Sequence, residues 1–108
     1  MADTPDALDQ LVHQIVGLAK PLRVILFGST ARGAPSPDSD LDVLVVMPEG
    51  THCRRTAQFL YQHIRNVGRP MDILVATPAM LERHKNSLGL IYRTILEEGK
   101  EVYVAGQH

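Results

Sequence analysis

The sequence has one cysteine in 108 residues, no tryptophan, and no hydrophobic run near the ~20 residues that a membrane-spanning helix needs. The single Cys53 excludes an internal disulfide and any metal site built from several cysteines, as is usual in a reducing compartment. The first six residues lack the basic start of a secretory signal peptide. These absences predict a cytoplasmic protein without a membrane segment.

The sequence also has no excess of positively charged residues. Lysine and arginine total 11 against 12 aspartate and glutamate residues, which gives a formal net charge of -1. Proteins that coat nucleic acids usually carry a basic field, so direct nucleic-acid binding is not expected, although a local basic site is compatible with this balance. A hydrophobic content of 44% and the chain length predict one domain over residues 1–108, with a single core.

Helical and extended patterns alternate along the chain. A helix is predicted at about 5–19, capped by Thr4. The segment at about 22–76 contains three apolar runs typical of strands, and 77–105 predicts helices and an edge strand. The alternation favours a sheet with helices packed on it. The strands are predicted at about 22–27, 40–47 and 71–76.

A further helix is predicted between the second and third strands, with Gly68 as its end. Its apolar residues recur at helical spacing, which is typical of a helix that packs one face against a core. These positions are Cys53, Ala57, Leu60, Tyr61, Ile64 and Val67.

Three aspartates lie in the predicted strands, where aspartate is depleted. Asp40 and Asp42 share one face of the second strand, because side chains alternate along a strand. Two carboxylates ~4 Å apart repel by about 4 kcal/mol at an effective dielectric of ~20. If the strand bearing Asp72 is a neighbour, three hard oxygen ligands converge, which suits Mg²⁺ or Mn²⁺. Ordinary strand-end charges facing water are the alternative for each aspartate.

A glycine and a serine follow the first strand. Gly28 lets the backbone approach a ligand, and a helical turn beginning there would present free N–H groups to an anion. The Ser29 hydroxyl could donate to a phosphate oxygen, and Arg32 could add a charged contact. An ordinary helix cap with a solvated arginine explains the same residues. Neither a P-loop nor a Gly-x-Ser-x-Gly nucleophile motif is present.

Taken together, these motifs resemble a known family. Gly28-Ser29, ten intervening residues and Asp40-x-Asp42 are similar to the signature of the minimal nucleotidyltransferases, a branch of the DNA polymerase β superfamily. Asp72 stands where that family carries its third carboxylate. The resemblance implies an α+β nucleotidyltransferase fold, with helices packed on a small mixed β-sheet. It also implies that Asp40 and Asp42 bind two Mg²⁺ ions, that Asp72 binds the catalytic ion, and that Gly28 and Ser29 hold a triphosphate.

The same resemblance implies an activity and a partner. The reaction would transfer a nucleoside monophosphate from ATP or another nucleoside triphosphate to an acceptor and release pyrophosphate. Small members of the family commonly pair with a HEPN-domain toxin, and some adenylylate a tyrosine of that ribonuclease. The expected protein is therefore an antitoxin that acts as a protein adenylyltransferase in a hetero-oligomer. Two alternatives stay open: neutralisation of the partner by binding alone, and nucleotidyl transfer to a small molecule.

Overall fold

The computed structural model describes residues 7–28, 40–68, 70–84 and 90–106. The predicted cap at Thr4 and the predicted turn after Gly28 lie outside these ranges. The domain limits of 1–108 stay a prediction. In chain order the elements are α1 (Ala7–Ala19), β1 (Arg23–Phe27), β2 (Leu41–Val46), α2 (Cys53–His63), β3 (Met71–Ala76), α3 (Pro78–His84), α4 (Leu90–Glu98) and β4 (Lys100–Val104).

The four strands within these ranges form one mixed sheet in the order β3-β2-β1-β4. β1 pairs antiparallel with β2 and with β4, whereas β2 pairs parallel with β3. The predicted α+β class, the mixed sheet and the closing edge strand are therefore confirmed. The parallel pairing matters most for function, because it sets the ends of β2 and β3 that carry aspartates side by side.

Helices cover both faces of the sheet. On one face, Val43 of β2 joins a buried cluster with Leu11 of α1 and Leu60 of α2. On the other face, Leu44 of β2 joins a cluster with Ile95 of α4. Burial of each such side chain contributes about 1.5–3 kcal/mol to the stability of the fold. The two clusters together hold β2 in the interior of the sheet. Both faces of β2 are covered over most of its length, as expected for an interior strand.

The helix between β2 and β3 ends earlier than predicted. α2 stops at His63, and Ile64 is extended, so the prediction that Gly68 ends this helix is wrong. Gln14 of α1 explains the early end: its side chain accepts a hydrogen bond from the Arg65 N–H at 2.8 Å and donates to the Arg65 carbonyl at 2.6 Å. These bonds satisfy backbone groups that a longer helix would have paired.

The last part of the described chain follows the prediction more closely. Thr77 caps α3, since its hydroxyl accepts a hydrogen bond from the Met80 N–H at 3.3 Å. β3 has the predicted bounds, and the edge strand β4 pairs with β1. No helix among the described residues is long and apolar enough to cross a membrane.

Candidate active site

Two aspartates lie side by side at one end of the sheet. Asp42, the second residue of β2, is in register with Asp72, the second residue of the parallel strand β3. On its other side Asp42 pairs with Phe27, the last residue of β1. Asp40 directly precedes β2. Asp40 and Asp72 are exposed, whereas Asp42 is half-buried between its neighbouring strands.

The carboxylates act on one another electrostatically. Partial burial raises the pKa of Asp42 above its usual value, and the negative charges of Asp72 and then Asp40 raise it further. Desolvation and like charges both disfavour the ionised form. The three acids therefore form one interacting group, and a cation among them would relieve the repulsion.

Gly28 borders this group at the end of β1. Its φ of 79° lies in the left-handed region, which favours glycine. A Cβ at this position would overlap the Oδ2 atom of the Asp42 carboxylate. The backbone at Gly28 and the Asp42 carboxylate are thus in direct contact, and only a residue without a side chain allows it.

The donor set fits a divalent ion that arrives with its own ligands. Among the residues described above, no group of three or more His, Cys, Asp or Glu side chains is arranged to hold a metal ion. Mg²⁺ commonly keeps several waters and takes only one or two carboxylates, with substrate phosphates as further ligands. The adjacent carboxylates of Asp42 and Asp72, with the charge of Asp40 nearby, match that pattern. The arrangement suits a metal–nucleotide complex better than a resident structural ion.

Two predicted site residues, Ser29 and Arg32, lie outside the described residues. Their assignment to phosphate binding stays a prediction. The remaining four predicted residues are described, and three of them, Gly28, Asp42 and Asp72, are adjacent through strand pairing or direct contact. Asp40 reaches the group through its charge.

Sequence reasoning missed one neighbour of the site. The helical spacing predicts Tyr61 on the apolar stripe of α2, but its side chain is 43% exposed, and its hydroxyl donates to Asp72 Oδ1 at 3.4 Å. The sequence held a weak signal: adjacent helix positions lie about 100° apart, so beside Leu60 the tyrosine falls toward the edge of the apolar stripe, where its hydroxyl can reach a polar partner. Leu60 is fully buried, whereas Tyr61 is exposed.

Comparison with known proteins decides the family. The sequence model described as "Nucleotidyltransferase domain" matches residues 8–102. The chain belongs to this nucleotidyltransferase domain family. A crystal structure from Sulfolobus solfataricus, described as that of a candidate nucleotidyltransferase, superposes with a TM-score of 0.60 at 18% identity. The alignment covers 99% of this chain and 95% of that chain, so the two share a fold.

No curated protein sequence matches the chain significantly. Nucleotidyltransferase domains generally use nucleoside triphosphates and divalent metal ions. The use of a divalent metal ion with a triphosphate agrees with the pair of carboxylates at the sheet end and with the repulsion that Asp72 and Asp40 exert on Asp42.

The raised pKa of Asp42 predicts how stability depends on pH in the metal-free nucleotidyltransferase domain. A carboxyl whose pKa is raised on folding stabilises fully below its unfolded pKa, and this stabilisation is lost as the pH rises through the folded pKa. In EDTA at neutral pH, Asp42→Asn should therefore be more stable than wild type, by less than about 1 kcal/mol because the site is partly exposed. Urea unfolding from pH 7 to pH 4 should show this difference shrinking. A difference that stays constant with pH would contradict the raised pKa of Asp42.

Proposed function

We propose that this nucleotidyltransferase domain transfers AMP from ATP to a hydroxyl group of a partner protein and releases pyrophosphate. The observation that carries the proposal is the in-register pair Asp42 and Asp72, beside Gly28, in a chain of this family. Paired carboxylates at a sheet end are chemically suited to hold the divalent ions that accompany a triphosphate.

The aspartates take different roles in this proposal. Asp40 and Asp42 would hold two Mg²⁺ ions, which Mn²⁺ could replace, and Asp72 would hold the catalytic ion. Ions bound there would supply charge neutralisation for an in-line displacement. The raised pKa of Asp42 supports the assignment, because the negative charges of Asp72 and Asp40, which cations would balance, add to the effect of partial burial. Most of the rate enhancement then comes from positioning and electrostatics.

The triphosphate side of the site is assigned to Gly28, Ser29 and Arg32. Gly28 keeps the main chain against the Asp42 carboxylate, as its backbone conformation and missing side chain allow. Ser29 follows directly in the sequence and has a hydroxyl that can donate to a phosphate oxygen. Arg32 offers a guanidinium that suits phosphate geometry.

The transfer step balances without any further reactant. The acceptor oxygen forms a bond to the α-phosphorus while the bond between that phosphorus and the bridging oxygen breaks. Pyrophosphate leaves with the bonding electrons, and we assign to Asp72 the acceptance of the hydroxyl proton. The products are an adenylylated acceptor and pyrophosphate.

We infer further that the acceptor is a tyrosine of a HEPN ribonuclease toxin and that the modification silences it. This part is supported by the resemblance of Gly28-Ser29 and Asp40-x-Asp42 to the minimal nucleotidyltransferases. The nucleotidyltransferase then acts as an antitoxin within a hetero-oligomer.

The test uses the protein with a HEPN protein encoded beside it, Mg²⁺, and ATP labelled on either the α- or the γ-phosphate. Label from the α-phosphate alone should enter the HEPN protein, which should gain adenylate mass on tyrosine. The double variant Asp40→Ala/Asp42→Ala should transfer none, and Asp9→Asn on α1 serves as the control with an intact site. Transfer by the double variant, or label from the γ-phosphate, would contradict the proposal. Neutralisation by the double variant without any label would show that binding alone suffices.

A further inference from the structure

Tyr61 reaches the site from a helix on the other face of the sheet. α2 packs against β3, and its Leu60 lies in the cluster that also contains Ile73. Asp72 neighbours Ile73 in β3, so its side chain points to the opposite face. β3 is an edge strand in the order β3-β2-β1-β4, so the tyrosine passes along its open edge to approach Asp72.

The backbone of β3 fixes the tyrosine hydroxyl. The Ile73 N–H donates a hydrogen bond to Tyr61 Oη at 2.7 Å. Among the described residues no strand lies on this side of β3, so the hydroxyl takes the place of a neighbouring strand's carbonyl. Because the phenol oxygen accepts this bond, its single proton is available to an acceptor.

That acceptor is the carboxylate of Asp72. Its Oδ1 atom lies 3.4 Å from Tyr61 Oη, at the long end of hydrogen-bonding distance. Asp72 is exposed, so without a fixed neighbour its carboxylate is free to change rotamer. Two successive hydrogen bonds, from the Ile73 N–H to Tyr61 Oη and from the Tyr61 hydroxyl to Asp72 Oδ1, link the orientation of the carboxylate to the backbone of β3.

We propose that Tyr61 is a positioning residue, whose hydroxyl orients the Asp72 carboxylate for a divalent ion. The inference deepens the proposed function and depends on it. Loss of a residue that hydrogen-bonds a metal ligand commonly lowers metal affinity or activity about 10–100-fold. A tyrosine that only covered the sheet edge would affect stability, whereas a positioning tyrosine affects the affinity for the ion.

The test compares Tyr61→Phe with Tyr103→Phe, which removes a hydroxyl from β4 at the opposite edge of the sheet. Mn²⁺ binding is measured by the loss of the free-ion EPR signal, in the presence of the uncleavable analogue α,β-methylene-ATP. Tyr61→Phe should weaken Mn²⁺ binding about 10-fold or more, and Tyr103→Phe should bind like wild type. Circular dichroism and thermal unfolding monitor folding in each variant.

Equal Mn²⁺ binding by wild type and Tyr61→Phe would overturn the inference and leave the proposed function intact. Absence of Mn²⁺–nucleotide binding in wild type would overturn the proposed function and the inference with it. The two failures are therefore distinguishable.

A second measurement keeps Tyr61 in place and so does not depend on the folding of Tyr61→Phe. The chain has no tryptophan and three tyrosines, so excitation in the tyrosine absorption band, at wavelengths that phenylalanine does not absorb, sensitises a bound Tb³⁺ ion through tyrosine alone. In the double variant Tyr92→Phe/Tyr103→Phe, which retains Tyr61 alone, Tb³⁺ luminescence should persist. Its loss in this variant, while wild type retains it, would overturn the inference.

Discussion

Asp42→Asn is expected to lower nucleotidyl transfer by about 10³-fold, the scale seen when a main electrostatic group of an active site is removed. Asparagine has the size of aspartate but lacks its charge. The substitution therefore leaves the strand pairing with Asp72 and Phe27 unchanged and removes the negative charge at the centre of the group. Initial rates of transfer at saturating Mg²⁺ and ATP measure the effect.

The same substitution should move activity and stability in opposite directions. Since burial, Asp72 and Asp40 all disfavour the charged form of Asp42, removal of that charge relieves repulsion in the metal-free protein. Opposite shifts are the mark of a residue retained for chemistry at some cost to stability. Asp9→Asn, in the first turn of α1, is the control and should leave the transfer rate unchanged. If Asp42→Asn lost stability and kept its transfer rate, Asp42 would be a structural residue.

Gly28→Ala should reduce transfer nearly as far as Asp42→Asn does. The added Cβ overlaps Asp42 Oδ2, so the carboxylate must leave its position beside Asp72. The left-handed φ of 79° adds a backbone cost of roughly 1–2 kcal/mol for a residue with a side chain. Transfer rates and urea unfolding on the same preparation separate the two effects.

Gly68→Ala is the matched control. Gly68 has a φ of 80°, but nothing lies within 4 Å of a Cβ built there. The Gly68→Ala variant should therefore lose about as much stability as Gly28→Ala loses through its backbone strain, and it should keep full activity. To the extent that Gly28→Ala acts through Asp42 rather than through the triphosphate, the double variant Gly28→Ala/Asp42→Asn should fall little below Asp42→Asn alone. Equal activities of Gly28→Ala and Gly68→Ala would show that the contact with Asp42 has no part in catalysis.

The sequence predicted the strands well because their signals are local. The bounds of β3 agree with the strand predicted at about 71–76, and the edge strand predicted in the last segment forms as β4. The convergence of Asp42 and Asp72 was conditional on their strands being neighbours. Strand order depends on helix packing far along the chain, so only the structure could supply that condition.

The errors in α2 have a similar origin. Its end at His63 depends on Gln14, which hydrogen-bonds the backbone of Arg65 from 51 positions away in the sequence. Tyr61 fits a hydrophobic stripe by residue type, and its contact with Asp72 depends on the open edge of β3. Residue patterns report which face of a helix is apolar. They carry less information about the ends of helices and about side chains that reach around a sheet edge.

The most direct test of the account is a crystal structure with Mn²⁺ and α,β-methylene-ATP, examined by anomalous scattering at the manganese edge. We expect anomalous peaks within bonding distance of carboxylate oxygens of Asp42 and Asp72 and of phosphate oxygens of the nucleotide, with Asp40 as a further ligand. A nucleotide bound without Mn²⁺ at Asp42 and Asp72, or Mn²⁺ bound only elsewhere on the protein, would contradict it.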